Sequence, residues 1–187
     1  MAMDGSAQDR IEAYCPGLEV SAVAQIAVSL RPSTALLISG AGTVAGLAPV
    51  LARRAEVLAL SQAAEDAVLR PADPGAWCHA TRAALAARVA RLNREDALAD
   101  HHIADAGVEA RLGDPARAGQ GARERAVLAF MDAMSQDPRD MEVHDVARLR
   151  NAGIGDGDIV RLADLGAFLS YQLRLVAGLR LLAEAGA

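Results

Sequence analysis

The chain has 187 residues, of which 52% are hydrophobic and 3% aromatic, and its formal net charge is −5. This length suits one domain with a sizeable core and leaves little room for a second. Every basic residue is an arginine, but the acidic balance leaves no broad basic surface, so we expect no nucleic-acid partner. The apolar residues are mainly Ala, Leu and Val in helical spacing, which predicts an all-α fold.

The first fifty residues are interpreted as an N-terminal helical extension. Helices are predicted from Ser6 or Ala7 to Tyr14 and from Glu19 to Leu30, with a Cys-Pro-Gly turn between them. The first ten residues include acidic side chains and lack the apolar stretch of a secretion signal, so we expect a cytoplasmic protein. The two cysteines, Cys15 and Cys78, are too far apart in sequence to form a local redox pair.

An uncharged segment runs from Pro32 to Ala52. Its length approaches the roughly 20 apolar residues that a bilayer-spanning helix needs. The segment also contains two prolines and three glycines, which favour a broken, buried segment, and we expect no membrane association.

The same segment contains a glycine pattern typical of dinucleotide sites. Gly40, Gly42 and Ala45 occupy the positions of G-x-G-x-x-G/A. No ribose-binding acidic residue follows at the expected place, and no later strands exist that would complete a parallel sheet. We therefore predict helical structure from Thr34 to Ser61, with a dinucleotide site as the alternative.

Helical patterns separated by turn signals continue to the end of the chain. The loop GDPARAGQGA divides this region into two helical halves, and Asn151-Ala152-Gly153 is a helix C-cap signal. The last helix carries apolar residues on more than one stripe, which predicts a homo-oligomer. The predicted helices cover Pro49–Leu69, Trp77–Asn93, Asp96–Val108, Arg123–Met134, Met141–Arg150 and a last helix, capped by Asp156 or Asp158, that ends at Leu182.

Two segments resemble a known family. RAALAARVARLNREDALADHHIADAG resembles the core hairpin of the carboxymuconolactone decarboxylase and alkylhydroperoxidase D-like (AhpD-like) family. The segment that begins SQDPRDMEVHDVARLRNAGIGDGDIV is similar to the second half of that family's peroxidase-related branch. The resemblance covers roughly Arg54 to Leu182. It implies an AhpD-like helical domain over residues 51–187, assembled into an oligomer.

The family's thiol peroxidases use a glutamate, a Cys-x-x-Cys pair and a histidine. When the family's pattern is aligned on Asn93 and His102, Ala83 stands where the family has its glutamate. Glu95 and Leu98 stand where it has the first and second cysteines. Only His102 matches, and neither substitute supplies the thiolate that attacks a peroxide. The resemblance thus implies that the thiol peroxidase cycle is absent. Peroxide reduction by Cys78 is a less favoured alternative.

The decarboxylase branch also lacks the cysteine pair. Resemblance of this chain to that branch implies acid–base chemistry by a histidine on a small carboxylated lactone, with His102 as base and Glu95 as its partner. Arg174 would hold the substrate carboxylate and Tyr171 would donate a hydrogen bond. Each residue also has a structural interpretation, such as an Arg174 pair with Asp164. A non-catalytic oligomeric interaction or scaffold protein is the alternative function.

The adjacent histidines require different environments, because neighbouring helical residues point about 100° apart. We predict that His102 faces inward and that His101 faces solvent with Asp100 or Glu95. Pairs at helical spacing, Asp96 with Asp100 and His102 with Asp105, would allow a metal-binding face. No H-E-x-x-H motif accompanies them, so a solvated acidic face is favoured and no cofactor or metal is expected.

Overall fold

The computed structural model describes residues 33–186, and over that range the chain is helical with no β-strand, which confirms the all-α prediction. The predicted helices before residue 31, and Cys15, lie outside the described residues. Three short 3-10 helices cover Ala41–Thr43, Ala45–Leu47 and Gly107–Gly113. The α-helices are α1 Thr34–Ser39, α2 Ala48–Ala52, α3 Ala55–Leu69, α4 His79–Leu92, α5 Asp96–Ile103, α6 Gly121–Gln136, α7 Val143–Asn151 and α8 Asp156–Gly186.

The glycine-rich segment is helical, as predicted. Residues 34–39, which a dinucleotide site would need as a strand, form α1, and Gly40 ends that helix with φ of 72°. Glycine adopts this left-handed conformation without a steric penalty, which explains the break. The predicted Pro49–Leu69 helix is divided into α2 and α3 at Arg53 and Arg54, although neither residue is a typical helix breaker.

The core is organised around α4 and α8. Helix α4 is buried along almost its whole length, and the buried stripe of α8 packs on it and on α6. Leu85 of α4 and Leu165 of α8 are fully buried in one cluster, so the two predicted helical halves share a core. Helix α1, from the predicted N-terminal extension, also packs against α8.

Helix α8 is also the one helix in residues 33–186 whose length and composition would allow it to cross a membrane, with a mean hydropathy of 1.2 over its most apolar window. Core helices of soluble proteins have the same properties. Because Leu162, Leu165 and Leu169 of α8 are buried within the protein, this feature is weak evidence for a membrane span.

The hairpin between α4 and α5 positions the histidines. Helix α4 ends at Leu92, and Arg94 takes a positive φ of 61° in the tight turn that reverses the chain. Helix α5 then packs along α4 and ends at Ile103, earlier than the predicted Val108, where the chain continues towards the third 3-10 helix. This arrangement directs one face of α5 towards α3 and α8.

Candidate functional site

His102 lies on the inward face of α5, as predicted. Its residue surface is only 2% exposed, and Leu98, Ala99 and Ala106 are buried on the same side. Its Nε2 atom lies 3.1 Å from Oε1 of Gln172, a buried residue on α8. His102 therefore joins α5 to α8 through a side-chain hydrogen bond.

A buried carboxylate continues this network. Gln172 donates from Nε2 to Glu65 Oε2 at 2.8 Å, and the Thr34 hydroxyl donates to Glu65 Oε1 at 2.9 Å. Glu65 is 2% exposed and forms no salt bridge with any residue in the described part of the chain. Burial raises its pKa above the usual value, because a charged carboxylate is poorly stabilised away from water.

These contacts determine which nitrogen of His102 carries the proton. Gln172 donates its amide NH₂ to Glu65, so its amide oxygen, which can only accept, faces His102. His102 therefore donates from Nε2, and its other ring nitrogen keeps a lone pair. Burial lowers the pKa of His102 to about 4, so the ring is neutral at physiological pH.

The prediction for His101 was wrong. It is half-buried rather than solvent-facing: its ring packs edge-on to His102 with centroids 5.4 Å apart, and Nε2 lies 3.5 Å from Thr34 Oγ1. Helix α1, which carries Thr34, covers this side of α5, and its position could not be inferred from the periodicity of α5 alone. Neither Asp100 nor Glu95 forms a hydrogen bond with the ring within the described structure.

A cavity of about 270 Å³ lies beside His102. Arg70, at the end of α3, borders it and forms ion pairs with Asp66 at 3.1 Å and Asp105 at 2.9 Å. Ala83, the position aligned with the family's glutamate, lines the same cavity as His102. The full lining is Leu69, Arg70, His79, Ala83, His102 and Asp105.

Glu95 is not the partner of His102, which corrects the sequence-based assignment. Its two carboxylate oxygens accept hydrogen bonds from Arg180 of α8 at 2.8 and 2.7 Å. Glu95 immediately precedes α5, about 10 Å along the helix axis from His102, so its side chain meets a later part of α8. This bidentate pair anchors the α4–α5 turn.

The structure does not bring Tyr171 and Arg174 to the His102 site either. The Tyr171 hydroxyl lies 2.6 Å from the hydroxyl of Ser61, and Arg174 donates to the carbonyl of Ser170 rather than pairing with Asp164. Both side chains lie on exposed faces of α8, whereas Gln172 occupies the buried face. The arginine that lines the His102 cavity is Arg70, so Arg70 is better placed than Arg174 to hold a substrate carboxylate.

Cys78 occupies the N-cap position of α4 and is exposed, and it is not among the residues that line the His102 cavity. Its sulfur lies 3.2 Å from the Thr81 hydroxyl, and this hydrogen bond lowers the pKa of the thiol. The acidic residues Asp96 and Asp100 of α5 are exposed. The buried polar groups are thus gathered around His102, whereas Cys78 and the acidic residues of α5 lie at the surface.

Comparison of the chain with protein-family models, with curated proteins and with solved structures finds no match. The functional interpretation consequently depends on the geometry of the site and on the sequence resemblance.

Proposed function

We propose that this protein is an AhpD-like enzyme that exchanges a proton with a small carboxylated substrate through His102. The family assignment is supported by the α4–α5 hairpin and by the shared cavity of Ala83 and His102, the positions aligned with the family's glutamate and histidine. The observation that carries the functional proposal is that His102 and Arg70 line the same cavity.

The cavity limits the size of the substrate. Its volume of about 270 Å³ lies just below the ~300–1,000 Å³ typical of drug-sized ligand pockets, so a molecule of few heavy atoms fits best. Arg70 supplies a planar cation suited to a carboxylate. A substrate carboxylate would take the place of Asp105, whose side chain is 59% exposed and free to move into solvent.

The hydrogen-bond network prepares His102 for proton exchange. Gln172 accepts a hydrogen bond from Nε2 of His102 and is itself oriented by Glu65, so the lone pair of His102 stays on the other ring nitrogen. In the proposed step this nitrogen takes a proton from a carbon next to the substrate carboxylate and later returns one. Glu65 and Gln172 act as positioning residues.

Proton exchange can be tested without knowing the physiological product. The protein is incubated in D₂O with a panel of small carboxylates, including carboxylated lactones, and deuterium incorporation at carbon is followed by NMR. We expect incorporation into at least one panel member, lost in His102→Gln and reduced in Arg70→Gln. His144→Gln and Arg174→Gln are matched exposed controls. Undiminished incorporation in His102→Gln would exclude the proposed role.

A second candidate is an oligomeric interaction protein. Leu181 and Leu182, near the end of α8, are 67% and 49% exposed, and Leu60 on α3 is also exposed. Such apolar surface favours self-association of this chain. Analytical ultracentrifugation tests it: sedimentation as a monomer at micromolar concentration would contradict self-association, whereas an oligomer is compatible with either function.

A further inference from the structure

We propose that Glu65, His101 and His102 bind a divalent first-row transition metal ion such as Zn²⁺ or Fe²⁺. One ligand atom from each of the three side chains lies within 4.8 Å of the other two. Two imidazoles and one carboxylate are the ligand set of many zinc and non-haem iron sites. This set differs from the acidic face of α5 considered in the sequence, because Glu65 comes from α3.

The distances require only a small adjustment. Ligand atoms that share an ion at about 2.0–2.2 Å lie roughly 3–4 Å apart, so the three atoms need to approach by at most about 2 Å. His101 has freedom to move, because its contact with Thr34 is long at 3.5 Å and its ring is half-buried. Glu65 is already held in place by hydrogen bonds from Gln172 and Thr34.

Charge provides an independent reason. Carboxylates are rarely fully buried unless paired with a cation, yet Glu65 has no salt bridge among residues 33–186. The guanidinium of Arg70, five residues further along the chain, is paired with Asp66 and Asp105. A divalent ion would supply the missing positive charge. Burial also favours the neutral form of both imidazoles, which is the form that ligates metals.

The residues around the cluster resemble a second coordination shell. Gln172 and Thr34 donate hydrogen bonds to different oxygens of Glu65 and so fix the plane of the carboxylate. Outer partners of this kind orient metal ligands in known sites. The position of Thr34 is itself fixed by a hydrogen bond, because its backbone N–H donates to Gln62 Oε1 at 2.8 Å.

Metal binding does not rest on the proposed proton exchange. An ion on Nε2 of His102 would displace the hydrogen bond to Gln172 and leave a proton on the other ring nitrogen, which would then donate to a substrate instead of accepting from it. The two proposals are therefore separable: the metal is measured without substrate, and deuterium exchange is measured with and without chelator.

The experiment uses the full chain stripped with a chelator and titrated with Zn²⁺ by calorimetry. Co²⁺ is the spectroscopic probe, because its visible absorption reports nitrogen and oxygen ligands, and Mg²⁺ is the comparison ion. Glu65→Gln and His101→Gln are the test variants. His144→Gln is the matched control, since His144 lies 3.1 Å from Glu142 and 3.5 Å from Asp145 in an exposed histidine–carboxylate group.

We expect one equivalent of Zn²⁺, a Co²⁺ band, and no comparable binding of Mg²⁺. Loss of an outer partner weakens metal sites by about 10–100-fold, so loss of a ligand in either test variant should weaken binding by at least ~100-fold. His144→Gln should bind like the parent. The far-UV circular dichroism spectrum verifies folding, and Thr34→Val provides a milder second variant with about 10-fold weaker binding. Absence of stoichiometric binding, or binding lost only in His144→Gln, would overturn the proposal.

Discussion

Two groups of buried polar and charged residues are stabilised in different ways: the arginines of α4, and the cluster of Glu65, Gln172 and His102. The two buried arginines of α4 donate hydrogen bonds to backbone carbonyls, and Arg88 also pairs with a carboxylate. Arg82 donates to the carbonyls of Trp77, Val68 and Pro74, and Arg88 forms a bidentate pair with Asp132 at 2.6 and 2.7 Å. The Glu65–Gln172–His102 cluster contains hydrogen bonds, but its carboxylate forms no salt bridge within residues 33–186, in contrast to Arg88.

The difference separates structural from functional polar groups. Arg88 also donates to the carbonyls of Asp114 and Arg117, so it organises the loop that follows the third 3-10 helix. Its charge and donors are satisfied by the protein itself. Glu65 is left without an ion pair, and His102 lines a cavity, features that allow a ligand to bind.

The largest expected effect comes from breaking the compensated group. Arg88→Ala removes a buried guanidinium, leaves Asp132 without its partner and frees two loop carbonyls. Breaking a buried ion pair costs about 3–5 kcal/mol, and we expect a loss of this size in the free energy of unfolding measured with urea. Arg174→Ala, on an exposed face of α8, is the control and should change stability little. Equal losses in both variants would contradict the comparison.

The histidine pair should give a smaller, unequal effect. His102→Ala leaves the oxygen of buried Gln172 without a partner, and an unsatisfied buried polar group costs about 1–3 kcal/mol. His101→Ala removes only a long contact with Thr34, so its cost in unfolding free energy should be clearly lower. Urea titrations of the metal-free variants measure both. A greater loss in His101→Ala would show that the half-buried ring carries more of the packing.

Much of this fold follows from local sequence patterns. The periodicity of α5 correctly placed His102 inward, because helical geometry alone determines which neighbour of Leu98 and Ala106 shares their face. The positive φ of Gly40 and Gly153 likewise follows from glycine's freedom at helix ends. The break at Arg53 had no such signal, because no proline or glycine lies at that position.

The partners in the candidate site could not be predicted in this way. Gln172 is 70 residues from His102 and 107 from Glu65, so only the packing of α8 on α3 and α5 brings them together. One signal was available: the buried stripe of α3 contains Leu58, Gln62, Glu65 and Leu69. Two polar residues within an otherwise apolar stripe indicate a buried polar cluster, although they do not identify its partners.

Glu65→Gln should cost far less stability than Arg88→Ala. Glutamine has nearly the same shape, and its oxygen still accepts a hydrogen bond, while the uncompensated buried charge disappears. In metal-free protein we therefore expect the free energy of unfolding to stay within about 1 kcal/mol of the parent value or to increase. Thermal unfolding in the presence of chelator measures this change. A loss as large as that of Arg88→Ala would mean that the Glu65 charge is compensated after all.

The smallest effect on stability is expected at a partly exposed ion pair, that of Arg111 and Glu124. Glu124 accepts two hydrogen bonds from Arg111 at 2.6 and 2.9 Å, and this contact lowers the pKa of Glu124 to about 2. A carboxyl group whose pKa is depressed on folding stabilises the protein above its unfolded value of 4.5, and that contribution disappears as the pH falls towards 2. Because both side chains are partly exposed, solvent screens their attraction. Glu124→Gln should therefore have a slightly lower melting temperature than the parent near neutral pH, and the difference should shrink in acid. A difference that grows as the pH falls would contradict the assigned direction of the shift.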